Sequence, residues 1–466
     1  MILQPFQNAL RLLQKVCIDS SLSIACLIGL TALAACSKIE PESADITARI
    51  LSSRPDMVTG GDALIELSAL SSALPSEGLS VLVNGQDVTN VFRASASGDS
   101  RLGRVDGLLA GDNRLEVRVG STTRVELTLT NYPATGPVFS GPHQLPYICQ
   151  TEVSGLGNPL NGDCSAQTRV QYFYRTTEPL PLPGGPAMPP PANIGPAPGF
   201  KRYEPSAARP EDMTQTTTRD GHVVDYIVRR ETGTINRAIY DIAFLHVPGE
   251  PLPDPWTSAP GWNGRLVYAF GGGCAAGYRQ GLGEQVINDA ALSEGYAVAT
   301  SSLNVFGNNC NDLISAETMM MVKEYFIEHF GVPVHTIGTG GSGGSMQQHL
   351  IAQNYPGLLD GIIPGVSFPD IFTMIGPVTD CSLLAAAFDA DEEAWTDEQK
   401  TAVSGFSTWR TCEAWNRSFS PALIRPQSCN AILSTDSVYD SQTNAGGVRC
   451  DIFENTVNVL GRDPET

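Results

Sequence analysis

Seven residues, Gly338-Thr339-Gly340-Gly341-Ser342-Gly343-Gly344, constrain this chain more than any others. They follow the apolar run Val334 to Ile337 and precede a helical pattern that continues to about Asn354, before Pro356. Only residues without bulk let a chain turn from strand to helix within a few positions while other backbone approaches closely. The run therefore predicts a strand, a sharp corner and a helix, with the Ser342 hydroxyl displayed at the carboxyl end of the strand.

The flanking pattern extends this into a domain. From Arg265 onward, strands are expected at Leu266 to Phe270, Tyr296 to Thr300, Val334 to Ile337 and Leu359 to Ile363. Helices are expected at Ile287 to Glu294, at Ser315 to Phe330 and after the corner. Such alternation predicts an α/β domain with a mostly parallel sheet, here assigned to 140–466. The proline-rich stretch 179–198 reads as an extended strap within it. Residues 369–450 carry cysteines, Asp and Ser, and a capping box at Thr396-Asp397-Glu398-Gln399, and read as a lid insertion. Upstream, 42–135 holds short alternating runs such as Ala63 to Leu67, Leu79 to Val83 and Leu115 to Val119. With turn signals at Asn84-Gly85 and Gly111-Asp112-Asn113, this segment predicts a small β-sandwich similar to immunoglobulin-like modules, serving as a spacer or packing partner.

The amino terminus reads as an address. Arg11 and Lys15 precede a short apolar core from Leu22 to Ala35, too short for a spanning helix of roughly 20 residues. Leu33-Ala34-Ala35-Cys36 resembles a bacterial lipobox, so 1–36 is expected to be a lipoprotein signal ending at a lipidated Cys36. Ser37 after it is similar to the outer-membrane sorting pattern. Export to the outer membrane, periplasm or cell surface is the resulting expectation, with membrane contact only through that anchor. The formal charge of −20, with no Lys/Arg run in the mature region, argues against nucleic acid as a partner. Of 11 cysteines, Cys17 and Cys26 fall in the signal and Cys36 takes lipid, leaving eight: Cys149, Cys164, Cys274, Cys310, Cys381, Cys412, Cys429 and Cys450. An even number in an exported chain predicts disulfides, with Cys149–Cys164 and Cys274–Cys310 paired by proximity and the last four open.

In the corner reading, Ser342 Oγ is a nucleophile and the Gly343 N–H faces the negative charge that develops on an attacked carbonyl. The helix that follows turns its amino end, and its dipole, toward the same point. A second donor is expected from the Gly273–Cys274 turn, because Gly271-Gly272-Gly273-Cys274 follows an earlier strand and is similar to the HGGG-type oxyanion loop of esterases. Two such loops in the right order specify a small-molecule ester hydrolase better than either alone.

The stretch Gly341-Ser342-Gly343-Gly344-Ser345-Met346-Gln347-Gln348, continuing through Gln353-Asn354-Tyr355-Pro356, Asp360-Gly361-Ile362 and Gly365, resembles the tannase and feruloyl-esterase branch of the α/β-hydrolases. The resemblance reaches back loosely to the Gly271 loop and Gly295-Tyr296-Ala297-Val298. It implies an α/β-hydrolase fold and carboxylic-ester hydrolysis through an acyl-enzyme. Members of that branch carry a cysteine beside the nucleophile, where this chain has Gly341, so phenolic-ester specificity does not transfer. Ser345 is an alternative nucleophile one turn along the helix.

The base is the difficulty. The family order is Ser, acid, His, yet all six histidines lie at or before His349. His349 is about 10 Å along the same helix from Ser342. His335 begins the strand, at its opposite end, and His143, His222, His246 and His329 have no positional argument. Asp451 and Asp463 are not singled out by anything. The expectation is a C-terminally truncated chain with little turnover, its acid and base beyond residue 466. Two rivals remain: a non-catalytic binding protein on a hydrolase scaffold, and a dinucleotide site on Gly338-x-Gly340-x-x-Gly343 with Asp360 downstream. The acidic run Asp389-Ala390-Asp391-Glu392-Glu393 reads as solvated surface, so no metal and no cofactor are expected.

Overall fold

The structure, a computed structural model, describes residues 46–69, 74–75, 77–179, 195–275, 277–390, 394–424, 433–440, 442–445 and 447–448. The signal segment 1–36 with Cys36, Cys429, Cys450, Asp391 to Glu393, Asp451, Asp463 and positions 180–194 of the proline-rich stretch lie outside them. All described residues belong to one unit, Ala44–Thr466.

Nine short strands open the chain: β1 (Ile46–Ile50), β2 (Val58–Thr59), β3 (Asp62–Ala69), β4 (Leu79–Val83), β5 (Gln86–Asp87), β6 (Arg93–Ala94), β7 (Arg101–Asp106), β8 (Gly111–Val119) and β9 (Thr122–Tyr132). They form a four-stranded sheet, β1-β3-β7-β6, and a five-stranded sheet, β2-β9-β8-β4-β5. Alternation along each strand sends Ile65, Leu67 and Val105 from one sheet, and Val81, Leu115, Val117 and Leu129 from the other, into one shared core. The Asn84-Gly85 turn closes β4 onto β5 with φ of 51° and 82°, the positive pair that a two-residue hairpin needs.

The second sheet system has eight strands, ordered β11-β10-β14-β15-β17-β16-β18-β19. Their ranges are β10 Arg169–Arg175, β11 Phe200–Tyr203, β14 Ile227–Ile235, β15 Ala238–Leu245, β16 Arg265–Gly271, β17 Ala297–Val305, β18 His335–Gly341 and β19 Gly361–Gly365. A separate ribbon joins β12 (Gln215–Thr217) to β13 (Val223–Asp225). The expectation of a mostly parallel sheet is corrected here. Pairings from β11 through β15 to β17 are antiparallel, and only β17-β16-β18-β19 is parallel.

The reason is a two-residue turn, Asn236-Arg237 with φ of 50° and 61°, which joins β14 to β15 and can only make an antiparallel pair. β14 also disguises itself, because Arg229, Arg230, Glu231 and Thr232 do not read as an interior strand yet are buried. Partners neutralise them. Arg230 meets Asp241 of β15 at 2.8 Å, Arg229 meets Glu231 at 2.6 Å, and the Tyr240 and Tyr325 hydroxyls donate to Glu231 at 3.0 and 2.7 Å.

Helix α1 spans only Asp289–Leu292, four residues of the longer helix expected. Helix α2 (Asp312–Phe330) starts on an Asn311 cap and stops at Gly331, φ 108°. Both its faces are covered. Met319, Val322 and Phe326 pack on the sheet, whereas Ile327 meets Leu64 and Leu102 of the first strands. On that second face Glu324 accepts from the Thr59 N–H at 3.0 Å. Glu317 receives the N–H groups of Val138, Phe139 and Ser140 at 2.6–2.8 Å, which pins the connecting segment. Helix α3 spans Gly343–Asn354, and α4 (Ile371–Ala390), α5 (Asp397–Ser404) and α6 (Trp409–Ile424) follow. The capping box at Thr396 and Gln399 opens α5.

Among the described residues three disulfides form: Cys149–Cys164, Cys274–Cys310 and Cys381–Cys412. The first two are the pairs expected, and all three fit an oxidising compartment.

Candidate active site

β18 ends and α3 begins at Ser342, with φ 56° and ψ −122°. A residue bearing a side chain occupies such a conformation at a cost of about 1–3 kcal/mol, so its surroundings must impose it. They do. Its N–H donates to Gly365 O at 3.0 Å, and its carbonyl accepts from the Ser345 and Met346 N–H groups at 2.8 and 3.2 Å. Ser345 Oγ donates to that carbonyl at 2.8 Å, and Ser345 is fully buried, a structural role that removes it as an alternative nucleophile.

Backbone presses on backbone at this corner. A Cβ at Gly343 would lie 2.1 Å from Gly273 O and 3.2 Å from Gly273 N. One at Gly340 would lie 2.2 Å from Phe270 O, and one at Gly344 2.5 Å from the same oxygen. From the other side, a Cβ at Gly272 would lie 3.0 Å from Gly341 O and 3.4 Å from Ser342 Cβ. The two glycine-rich segments predicted to cooperate are thus in direct contact. Gly341 differs, because a Cβ there meets the Gly365 carbonyl at ordinary contact distances, 3.6 Å to its oxygen and 3.8 Å to its carbon.

A strap holds the earlier loop in place. Phe306 N and Gly307 N donate to Gly271 O and Gly272 O at 3.2 and 2.8 Å. Ala275 N donates to Phe306 O, and Cys310 N to Ala275 O, both at 2.9 Å, beside the Cys274–Cys310 disulfide. Two buried glutamines lock the helix side. Gln347 Nε2 donates to Gly271 O at 2.9 Å and Gly343 O at 3.2 Å, while its Oε1 accepts from Ser315 Oγ at 2.7 Å. Gln348 Nε2 donates to Gly340 O and Gly344 O at 3.0 and 2.9 Å, and its Oε1 accepts from Ile363 N at 3.0 Å. Both stood in the sequence as part of a family-like run with no role attached. Two consecutive amides one residue past the run of small residues Gly340 to Ser345 were the only signal.

The carboxyl edge of the parallel strands gathers further groups. Val366, just past β19, is β-branched yet has φ 44°, and it is 84% exposed beside the corner. Cys274 packs against the Phe306, Cys310 and Met346 cluster, and also against Val378 of α4. Asp312, unremarked in the sequence, begins α2 beyond the strap. Burial pushes its carboxyl up to about 6, and the charge of Asp370 adds to the effect.

The histidines go elsewhere. His349 Nε2 pairs with Ser367 Oγ at 2.8 Å, His329 Nδ1 with Tyr325 O at 2.9 Å, and His143 Nδ1 lies 3.6 Å from Asp163. His246 packs on Tyr172, His335 is exposed at the far end of β18, and His222 is exposed by the β12–β13 ribbon. Among the described residues no group of three or more His, Cys, Asp or Glu is placed to hold a metal ion.

No curated protein matches this chain. Among solved structures it is similar to an esterase from Aspergillus oryzae, at 16% identity and TM-score 0.22, over 37% of this chain and 35% of that one. It is also similar to a tannin acyl hydrolase from Aspergillus niger, at 12% identity and TM-score 0.27, over 52% of this chain and 40% of that one. The chain thus spans well under half the length of either. Residues 48–466 match the description of one family over nearly the whole sequence, and the chain belongs to it: the tannase-like family of unknown function.

Proposed function

We propose that the protein is a serine carboxylic-ester hydrolase with an α/β-hydrolase arrangement, acting through an acyl-enzyme on Ser342. The observation that carries this reading is the contact of Gly343 with Gly273 beside a serine held at φ 56°. Ser342 Oγ attacks the ester carbonyl, and the N–H groups of Gly343 and the Gly273–Cys274 turn receive the oxyanion. The alcohol leaves, water attacks the acyl-serine, and a carboxylate is released. The family order of Ser, acid and His is not met by the six described histidines, all at or before His349, and slow turnover is therefore expected of these 466 residues.

The helices α4 to α6, tied by Cys381–Cys412, serve as a lid, since Val378 of α4 packs on Cys274. The two opening sheets are read as an immunoglobulin-like β-sandwich that braces α2. Attachment through a lipidated Cys36 remains the proposed route to the outer membrane or cell surface. A dinucleotide at the 338–343 glycines is disfavoured, because Gly340 and Gly343 lie against Phe270 O and Gly273 O rather than around an open cradle. A binding-only scaffold is the remaining alternative.

The test is labelling by a serine-directed fluorophosphonate, with hydrolysis of p-nitrophenyl acetate as a second readout. Ser342 is expected to be the labelled residue, and Ser342→Ala to abolish both signals. Nucleotide binding without labelling, or labelling that survives Ser342→Ala, would overturn the proposal.

A further inference from the structure

A cleft of about 390 Å3 opens at the amino end of the parallel strands. Its wall joins Val334, just before β18, and Asp360, just before β19, to Arg54 and Met57 of the loop between β1 and β2 and to Lys323 of α2. β18 runs seven residues from His335 to Gly341. At strand rise that is about 20 Å, which puts the cleft and the Ser342 corner at opposite edges of the sheet.

Lys323 is the unusual group in this wall. Its Nζ donates to the carbonyl oxygens of Gly357 and Leu358 at 2.9 and 2.8 Å, both neutral. Asp360, whose carboxylate accepts the Thr336 N–H at 2.7 Å, attracts it only from beyond ion-pair distance. Burial pushes the amine down to about 8, so the ammonium is under-compensated where it stands. The other two described lysines are satisfied: Lys201 by Glu178 and Asp212 at 3.0 and 2.9 Å, and Lys400 over the Trp409 ring at 4.9 Å. An ammonium has three donors, and two are spent here, leaving one. Of the other charged or titratable groups in the wall, Arg54 already pairs with Asp56 at 3.0 Å, and the Tyr355 phenol stays neutral because burial raises it. The remaining wall is mostly apolar, with Met57, Met320, Ile327 and Leu358, and has uncharged polar groups at Ser52, Ser53 and Asn354. Its volume falls within the roughly 300–1,000 Å3 typical of small-ligand sites.

We propose that this cleft binds a small apolar monocarboxylate, whose carboxylate pairs with Lys323 and whose body lies against Met57, Met320 and Tyr355. The site stands whether or not Ser342 is a nucleophile.

Benzoate is the probe and benzamide its neutral control, in equilibrium dialysis on the intact protein. Benzoate is expected to bind at one saturable site at pH 7 and benzamide at least tenfold more weakly. Benzoate affinity should fall about tenfold from pH 7 to pH 9 as the amine loses its proton. Lys323→Met should lose the site, and Ser342→Ala should keep it. A second readout needs no variant. Benzoate should slow reductive methylation of Lys323 by formaldehyde and cyanoborohydride, while Lys201 and Lys400 react unchanged. The proposal fails if benzoate shows no saturable binding, binds no better than benzamide, or leaves Lys323 methylation unaltered. Binding lost in Ser342→Ala and kept in Lys323→Met would move the ligand to the other edge.

Discussion

Gly343→Ala puts the corner geometry under direct test. The added methyl would sit 2.1 Å from Gly273 O, so the amino end of α3 and the Gly271 loop must part by about 1 Å to reach contact distance. Neither side yields freely. Gly273 belongs to a loop strapped by the Gly307 N–Gly272 O bond and the Cys274–Cys310 disulfide, and Gly343 O accepts from Gln347. Forcing a methyl into packed backbone costs about 1–3 kcal/mol. Drawing apart two donors that must face one oxyanion costs on the order of 10²–10³ in rate. Gly341→Ala is the control, because its methyl meets Gly365 O at an ordinary 3.6 Å and its φ is not positive. Its stability should stay within about 0.5 kcal/mol of wild type. Urea unfolding and the rate of fluorophosphonate labelling at Ser342 measure both variants. Wild-type stability and labelling in Gly343→Ala would refute the argument, as would equal damage in Gly341→Ala.

Three further outcomes are expected. Gln348→Met removes three hydrogen bonds at a buried position and orphans Ile363 N, so urea unfolding should show a loss of about 1–3 kcal/mol or more. Reducing Cys274–Cys310, or replacing both residues with serine, frees a 36-residue span. This should cost about 2–4 kcal/mol and slow Ser342 labelling, read by the same two assays. Asp312 has a carboxyl raised from 3.8 to about 6, so its protonated form favours the fold. That contribution is full below about pH 4 and is lost as pH rises through about 6. Unfolding free energies of Asp312→Asn across pH 4 to 7 should therefore fall less steeply than those of wild type.

The legible parts of this protein were those set by neighbours in sequence. A corner needing φ values and clearances that only small residues tolerate is written into residues 338–344, and the structure puts Ser342 at it. The Asn84-Gly85 hairpin, the Thr396 capping box and the two disulfides closing 15- and 36-residue spans are likewise short-range choices. β14 was illegible because Arg229 to Thr232 look like surface until Asp241 pairs with Arg230 and the Tyr325 hydroxyl donates to Glu231. The antiparallel half of the sheet was lost with it.

What the sequence determined alone was where the chain must bend and which short segments must be strand or helix, since those follow from local sterics and hydrogen bonding. Only the tertiary structure decided that Gly273 O would rest on Gly343, that α2 would be covered on two faces, and that Lys323 would face a cleft between neutral carbonyls. Each depends on groups tens or hundreds of residues apart, whose meeting is set by burial of the whole core and not by any local preference.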